Sequence, residues 1–251
     1  MSLNEDIGHK RELYRGLKGT AQSALELRSY QKADLDGRLS TVGVEAGELI
    51  GLNERPENWI PGVEVLPRSV FKQRHRGHFS ELTRFSEGRV HEVQFVAHQW
   101  AAATMFAGTA KGFHIHPPHI PQGWAAEDWF QHLFCKHPHA YDQRLYGKEQ
   151  WDLMFFVTGN TEMFLVDERA GLPRRRMRFH IDGDDNPGKN NVCVFIPPGV
   201  AHALQVEGTK DLVMIYATST VFNPDFEGRI ASDVESVSLI EDWARYMGID
   251  A

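Results

Sequence analysis

Two imidazoles stand two residues apart in Lys111-Gly112-Phe113-His114-Ile115-His116, behind glycines at 108 and 112. On a β-strand, residues two apart point to the same face, so His114 and His116 project together into one space. Imidazole transfers protons near neutral pH and ligates metals, and a paired presentation suits either use. The other histidines of this region, His119, His132, His137 and His139, show no spacing that ties them to a ligand role. They read as surface or packing residues. No Gly-rich phosphate loop, G-x-S-x-G elbow or zinc-ribbon cysteine pair is present, so nucleotide hydrolysis and serine-hydrolase chemistry find no support.

The elements that position these histidines read as β-structure. After Pro67 the chain runs in short alternating or apolar segments punctuated by Gly, Pro, Asn and Asp, the pattern of a β-sandwich or barrel. Candidate strands are 77–84, 90–100, 109–116, 153–157, 161–167, 177–181, 191–196, 203–207 and 212–218. Ahead of them, residues 1–67 read as an N-terminal extension with a helix over 5–28 and short strands such as 41–44. The main domain spans 68–235, and apolar residues at helical spacing predict a closing helix within 236–251.

The domain carries an insertion, 117–151, rich in aromatics: Trp124, Trp129, Phe130, Phe134, Tyr141 and Tyr146. The stretch 125–134 reads as helical. A segment this long is expected either to cover the barrel mouth as a lid or to add core or a dimer contact.

Composition narrows the partners. With 251 residues the chain can bury a substantial core, and its net charge of −7 argues against a nucleic-acid backbone as partner. The basic run Arg174-Arg175-Arg176-Met177-Arg178 reads as a solvated edge strand or turn. Two cysteines, Cys135 and Cys193, cannot build a disulfide framework, and Cys193 lies in an apolar run. The N-terminus lacks a signal-peptide pattern and no apolar run reaches membrane-spanning length, so a cytoplasmic protein without membrane partners is expected.

The spacing Gly108-x5-His114-x-His116 resembles the first half of the metal motif of the cupins, a superfamily of jelly-roll β-barrels. The resemblance extends to Asp152, with Gly159 closing the same segment, and to Pro197-Pro198-Gly199-Val200-Ala201-His202, which looks like the turn carrying the last cupin histidine. It implies an all-β jelly-roll fold. It also implies that His114, His116, Asp152 and His202 meet, either around Fe(II), Mn(II), Ni(II) or Zn(II) with one or two positions open, or as a metal-free polar pocket.

From about residue 71 to 230 the chain further resembles the dTDP-4-dehydrorhamnose 3,5-epimerase family, a metal-independent branch of the cupins. Arg76-Gly77-His78-Phe79-Ser80-Glu81 is similar to that family's R-G-x-F-x-E strand, which implies that Arg76 and Glu81 bind a nucleotide sugar. Lys111-Gly112-Phe113-His114 resembles R-G-L-H, which makes His114 the base and Lys111 a substrate contact. Met214-Ile215-Tyr216 resembles the strand whose tyrosine returns the proton. Phe222-Asn223-Pro224-Asp225-Phe226-Glu227 resembles Y-x-P-x-x-E, which implies substrate contacts by Phe222 and Glu227. A homodimer is implied as well.

Departures from that family cluster at its chemical centre. Asp152 stands where the family has an enolate-stabilising lysine, His116 where it has glutamine, and Ala101 where it has asparagine. A carboxylate about 4 Å from a developing enolate repels it by roughly 4 kcal/mol at an effective dielectric of 20, where lysine would attract it. A divalent cation would restore the positive charge. The expected function is therefore a metal-dependent enzyme on a small carbonyl or hydroxylated, sugar-like substrate. It would work by metal-assisted proton transfer, as an isomerase or epimerase, or by oxygen activation, as a dioxygenase. The alternatives are a metal-free nucleotide-sugar epimerase and a non-catalytic small-molecule-binding protein.

Overall fold

A computed structural model describes residues 49–116, 118, 121–136, 149–169, 171–222 and 228–229. The helices expected over 5–28 and within 236–251, the strand at 41–44, His119, residues 137–148 and Glu227 lie outside the described residues.

Two largely antiparallel sheets face each other. In chain order the strands are β1 (Leu49–Ile50), β2 (Glu64–Pro67), β3 (Val70–Lys72), β4 (His78–Ser80), β5 (Gln99–Met105), β6 (Ala110–Ile115), β7 (Asp152–Thr158), β8 (Asn160–Asp167), β9 (Arg176–Asp182), β10 (Val192–Ile196), β11 (Val200–Glu207), β12 (Leu212–Thr218) and β13 (Gly228–Arg229). Two short helices, α1 (Gly88–Glu92) and α2 (Ala126–Gln131), lie between strands. One sheet has the order β1-β9-β8-β11-β6-β13, the other β2-β10-β7-β12-β5, and β3 and β4 form a separate hairpin. The basic run lies largely in β9, which is paired on both sides rather than at a sheet edge, with Arg174 and Arg176 buried. The N-terminal extension joins the barrel directly: β1 pairs in parallel with β9 and β2 antiparallel with β10.

Alternation divides the central strands of the second sheet between two cores. Facing the interior of the sandwich, Met154 and Phe156 of β7, Val192, Val194 and Ile196 of β10, Met163 and Leu165 of β8 and Leu204 and Val206 of β11 pack as one apolar cluster. The opposite face of the second sheet is buried too. There Leu153, Phe155, Cys193 and Phe195 pack against Trp129, Phe130, Leu133 and Phe134. A strand covered on both faces reads as a continuous apolar run, which is why β10 is Val-Cys-Val-Phe-Ile.

The described part of the insertion belongs to that second core. Helix α2 and the wider turn His132–Lys136 lie on the back of the second sheet, away from the sandwich interior. Of the two expectations for the insertion, its described residues follow added core: Trp129, Phe130, Leu133 and Phe134 cover strand side chains that would otherwise face water. A second difference concerns 90–100, expected as strand. Residues Gly88–Glu92 form α1 instead, and β5 begins only at Gln99. Val90, Val93 and Phe95 are buried against the same back face, and their spacing is not that of a strand.

Candidate active site

Strands β6 and β11 set the histidines. His202 is the cross-strand partner of His114, and farther along the register shifts so that Leu204 pairs with Lys111. Three steps on β6 thus match two on β11. This irregularity re-aims the strand, so Lys111 and His114, three residues apart, line one cavity together with His116. Gly112 makes the close approach possible. A Cβ there would sit 2.5 Å from the Ala203 Cβ and 2.8 Å from the His202 carbonyl oxygen, and its φ is +134°.

The opposite wall comes from the second sheet. Gln150, Asp152 and Met154 run along β7 and its approach, Met214, Tyr216 and Thr218 along β12, and Gln99 and Ala103 along β5. Each set keeps the even spacing of one strand face, and the register pairs Tyr216 with Met154 and Thr218 with Asp152. The cavity between the walls has a volume of about 290 Å³. One half is polar, with His114, His116, Gln150, Asp152, His202 and Thr218. Met154, Leu204, Met214 and Ala103 line the other.

At the polar end Asp152 is the hub. Its Oδ2 lies 3.1 Å from His116 Nε2 and 3.4 Å from His202 Nε2. Gln150 Nε2 donates to Asp152 Oδ1 at 2.9 Å and lies 3.0 Å from His116 Nε2. His116, Asp152 and His202 are all buried. Burial alone would raise the Asp152 carboxyl, but the charges of His116 and His202 and hydrogen bonds from His116 and Gln150 outweigh it and hold the group below its ordinary range. The loop after β10 is tied to the same end, since the Gly199 amide donates to the His116 carbonyl at 2.8 Å.

Of the four residues expected to meet, the structure gathers three. Ligand atoms of His116, Asp152 and His202 all lie within 4.8 Å of one another, and His114 falls outside that group. Asp152 sits at the His116 end of β6, and two residues of strand separate His114 from that end by roughly 6.6 Å. The rings of His114 and His202 remain neighbours, with centroids 5.8 Å apart.

The remaining expected residues divide. Lys111, Tyr216 and Phe222 line the cavity; Phe222 is 46% exposed, and its amide donates to the Gln99 side-chain oxygen Oε1 at 2.9 Å. Arg76 and Glu81 do not line it. Arg76 ends a short turn in the β3–β4 connection, and Glu81, just past β4, is exposed and pairs with Arg84 at 2.8 Å. Their hairpin is anchored at its base, where Arg68 and Ser80 both bond the buried Asp184 at 2.7 Å. Gln150 belongs to none of the motifs read from the sequence, and its only signal there is its position two before Asp152, on the same strand face.

No family model matches the chain. Its sequence is 29% identical over 167 residues to the spore coat polysaccharide biosynthesis protein SpsL of Bacillus subtilis (strain 168), covering 65% of this chain and 85% of that protein. Solved structures that resemble it include ChmJ, a 3'-monoepimerase from Streptomyces bikiniensis in complex with dTDP-quinovose, at 20% identity and TM-score 0.46, over 66% of this chain and 68% of that one. The rmlC epimerase of Mycobacterium tuberculosis aligns at 19% identity and TM-score 0.47, over 67% and 68%. A dTDP-4-dehydrorhamnose 3,5-epimerase of Bacillus anthracis str. Ames aligns at 18% identity and TM-score 0.45, over 66% and 76%. The fold is all-β, a sandwich of two largely antiparallel sheets. Its paired sheets enclose the cavity that His114, His116 and His202 line. Among the described residues, no helix is long and apolar enough to cross a membrane.

Proposed function

We propose that this jelly-roll protein is a sugar epimerase that moves protons across its cavity. The observation that carries the reading is the placement of His114 on β6 and Tyr216 on β12, in opposite sheets, lining one cavity. The His114 imidazole takes a proton from a carbon next to a carbonyl, leaving an enolate. The Tyr216 phenol then gives its proton to the other face of that carbon. The centre is inverted, His114 ends as imidazolium and Tyr216 as phenolate, and solvent resets both.

The substrate class follows from the lining and from the relative. At about 290 Å³ the cavity is at the small end of ligand sites and suits one hexose ring. Lys111 faces an anionic handle on the sugar, and Phe222 lies where a planar group outside the ring can stack. The resemblance to nucleotide-sugar epimerases supports a 4-keto sugar carried on a nucleotide. The relative's role in polysaccharide biosynthesis favours proton transfer on a sugar over oxygen activation. Arg76 and Glu81 reach substrate in this reading only from a second copy of the chain, in the homodimer that the resemblance implies.

The test compares two variants by proton NMR in D2O with a nucleotide-linked 4-keto-6-deoxyhexose. His114→Ala is expected to slow deuterium entry beside the carbonyl by about 10²-fold or more. Tyr216→Phe keeps deuterium entry but accumulates little inverted product. Equal exchange by wild type and His114→Ala would refute the assignment, and binding of the sugar without exchange in wild type would point to a non-catalytic binding protein.

A further inference from the structure

We infer that Gln150 is a positioning residue for Phe222, holding in place the segment that carries this ring to the cavity. The inference rests on the epimerase reading only for what Phe222 does to substrate. After Thr218 the chain leaves β12 of the second sheet, and at Gly228 it pairs with β6 of the first. Phe222, which lines the cavity, lies on that passage.

The passage starts from a fixed point. Ser219 is fully buried and its amide donates to the Trp151 carbonyl at 3.1 Å. Its hydroxyl donates to the Glu149 carbonyl and accepts from the Trp151 amide, each at 2.8 Å, and His98 Nδ1 lies 2.6 Å from the Ser219 carbonyl oxygen. Beyond it the Thr218 hydroxyl turns the chain by donating to the Thr220 carbonyl at 2.6 Å. Val221 and Phe222 are then 66% and 46% exposed, so burial contributes little and polar ties decide where the ring sits. Two glutamines of the cavity wall supply them. The Thr220 hydroxyl donates to Gln150 Oε1 at 3.0 Å, and the Phe222 amide to Gln99 Oε1 at 2.9 Å.

Gln150 is itself oriented from its other end. A carboxylate only accepts, so the amide nitrogen faces Asp152 Oδ1, at 2.9 Å, and the same nitrogen lies 3.0 Å from His116 Nε2. Reversing the amide would bring two acceptors together. Its oxygen is therefore committed to Thr220, whose hydroxyl must donate. Asp152 begins β7, which is paired on both sides by β10 and β12, so Gln150 registers Thr220 against a central strand. Sequence places Phe222 only two residues farther on.

A ring stacked on a planar group outside the sugar holds ground state and transition state alike. Misplacing it raises KM and spares kcat.

The test follows amide exchange by NMR in the full chain, together with KM on the nucleotide-linked 4-keto sugar. Thr220→Val keeps the side-chain shape and removes the hydroxyl. It is expected to speed exchange of the Phe222 amide about fivefold, the weight of one hydrogen bond, while the Ser219 amide exchanges as in wild type. Thr220→Ser should restore the wild-type rate, and Gln150→Leu should repeat the loss. On the sugar, Thr220→Val should raise KM about fivefold with kcat within about twofold, and in a Phe222→Ala background it should add nothing. Unchanged Phe222 exchange in both Thr220→Val and Gln150→Leu, faster exchange of Ser219 and Phe222 alike, or a KM effect undiminished without the Phe222 ring would overturn the assignment. The two readings fail separately: a wild type inactive on the sugar refutes the epimerase, and the amide rates then uphold or overturn the tie by themselves.

Discussion

Two histidines that neighbour each other at the end of β6 differ in their surroundings across two residues of strand. His116 sits level with Asp152 and His202, and His114 sits one pleat along, nearer Lys111. The same sensitivity to place distinguishes the two cysteines. Cys193, on the back face of β10, has its thiol pushed up to about 11 by burial, with Arg68 offsetting only part, whereas Cys135 is exposed. A thiolate-directed reagent at neutral pH is therefore expected to modify one thiol in the native protein and two in denaturant, and mass spectrometry should place the native label on Cys135. Rapid native labelling of Cys193 would contradict the packing of that face.

At the scale of the element, most of the cavity is legible in the sequence. Period-two alternation puts His114 with His116, Gln150 with Asp152 and Met154, His202 with Leu204, and Tyr216 with Met214 and Thr218, and every one of these lines the cavity. What alternation cannot deliver is Lys111, an odd number of residues from His114. The register shift brings it round, and only the cross-strand partner reveals such a shift. The position of the insertion is equally hidden. Its aromatics announce burial but not which face they cover, and that depends on Leu153, Phe155 and Phe195 lying on the outside of the sheet. The β6 irregularity carries a prediction. Gly112→Ala forces a Cβ against Ala203 and the His202 carbonyl at a positive φ, and is expected to destabilise by about 3 kcal/mol in urea unfolding. A wild-type midpoint would show that β6 can move off β11 freely.

For the molecule as a whole, buried charge pairs fasten the β8–β9 connection and the β3–β4 hairpin. Asp167 with Arg169 and Glu168 with Arg174 are buried pairs beside the Gly199 turn, and Arg68 with Asp184 fixes the hairpin to the barrel. On the outside of the first sheet His180 of β9 contacts Asp182 and, across β8, Glu207 of β11. Burial opposes its charge, but the hydrogen bonds and charges of Asp182 and Glu207 prevail and raise its pKa above 6.5. A raised histidine contributes stability that is fully present below about pH 6.5 and fades as pH rises through the folded value. Wild-type stability is thus expected to decline modestly as pH rises above about 6.5, and His180→Gln to flatten that decline in urea titrations at each pH. Parallel pH profiles for the two proteins would show that His180 does not set the decline.

The central claim is that a base on one sheet and an acid on the other act on a single sugar carbon between them. Proton NMR of a nucleotide-linked 4-keto sugar in D2O with the wild-type protein tests it most directly. Epimerisation by this pair predicts that the proton beside the carbonyl disappears from the spectrum while the inverted epimer, carrying deuterium at that carbon, grows in. An inverted product that retains the original proton, or a bound sugar that never exchanges, would contradict it.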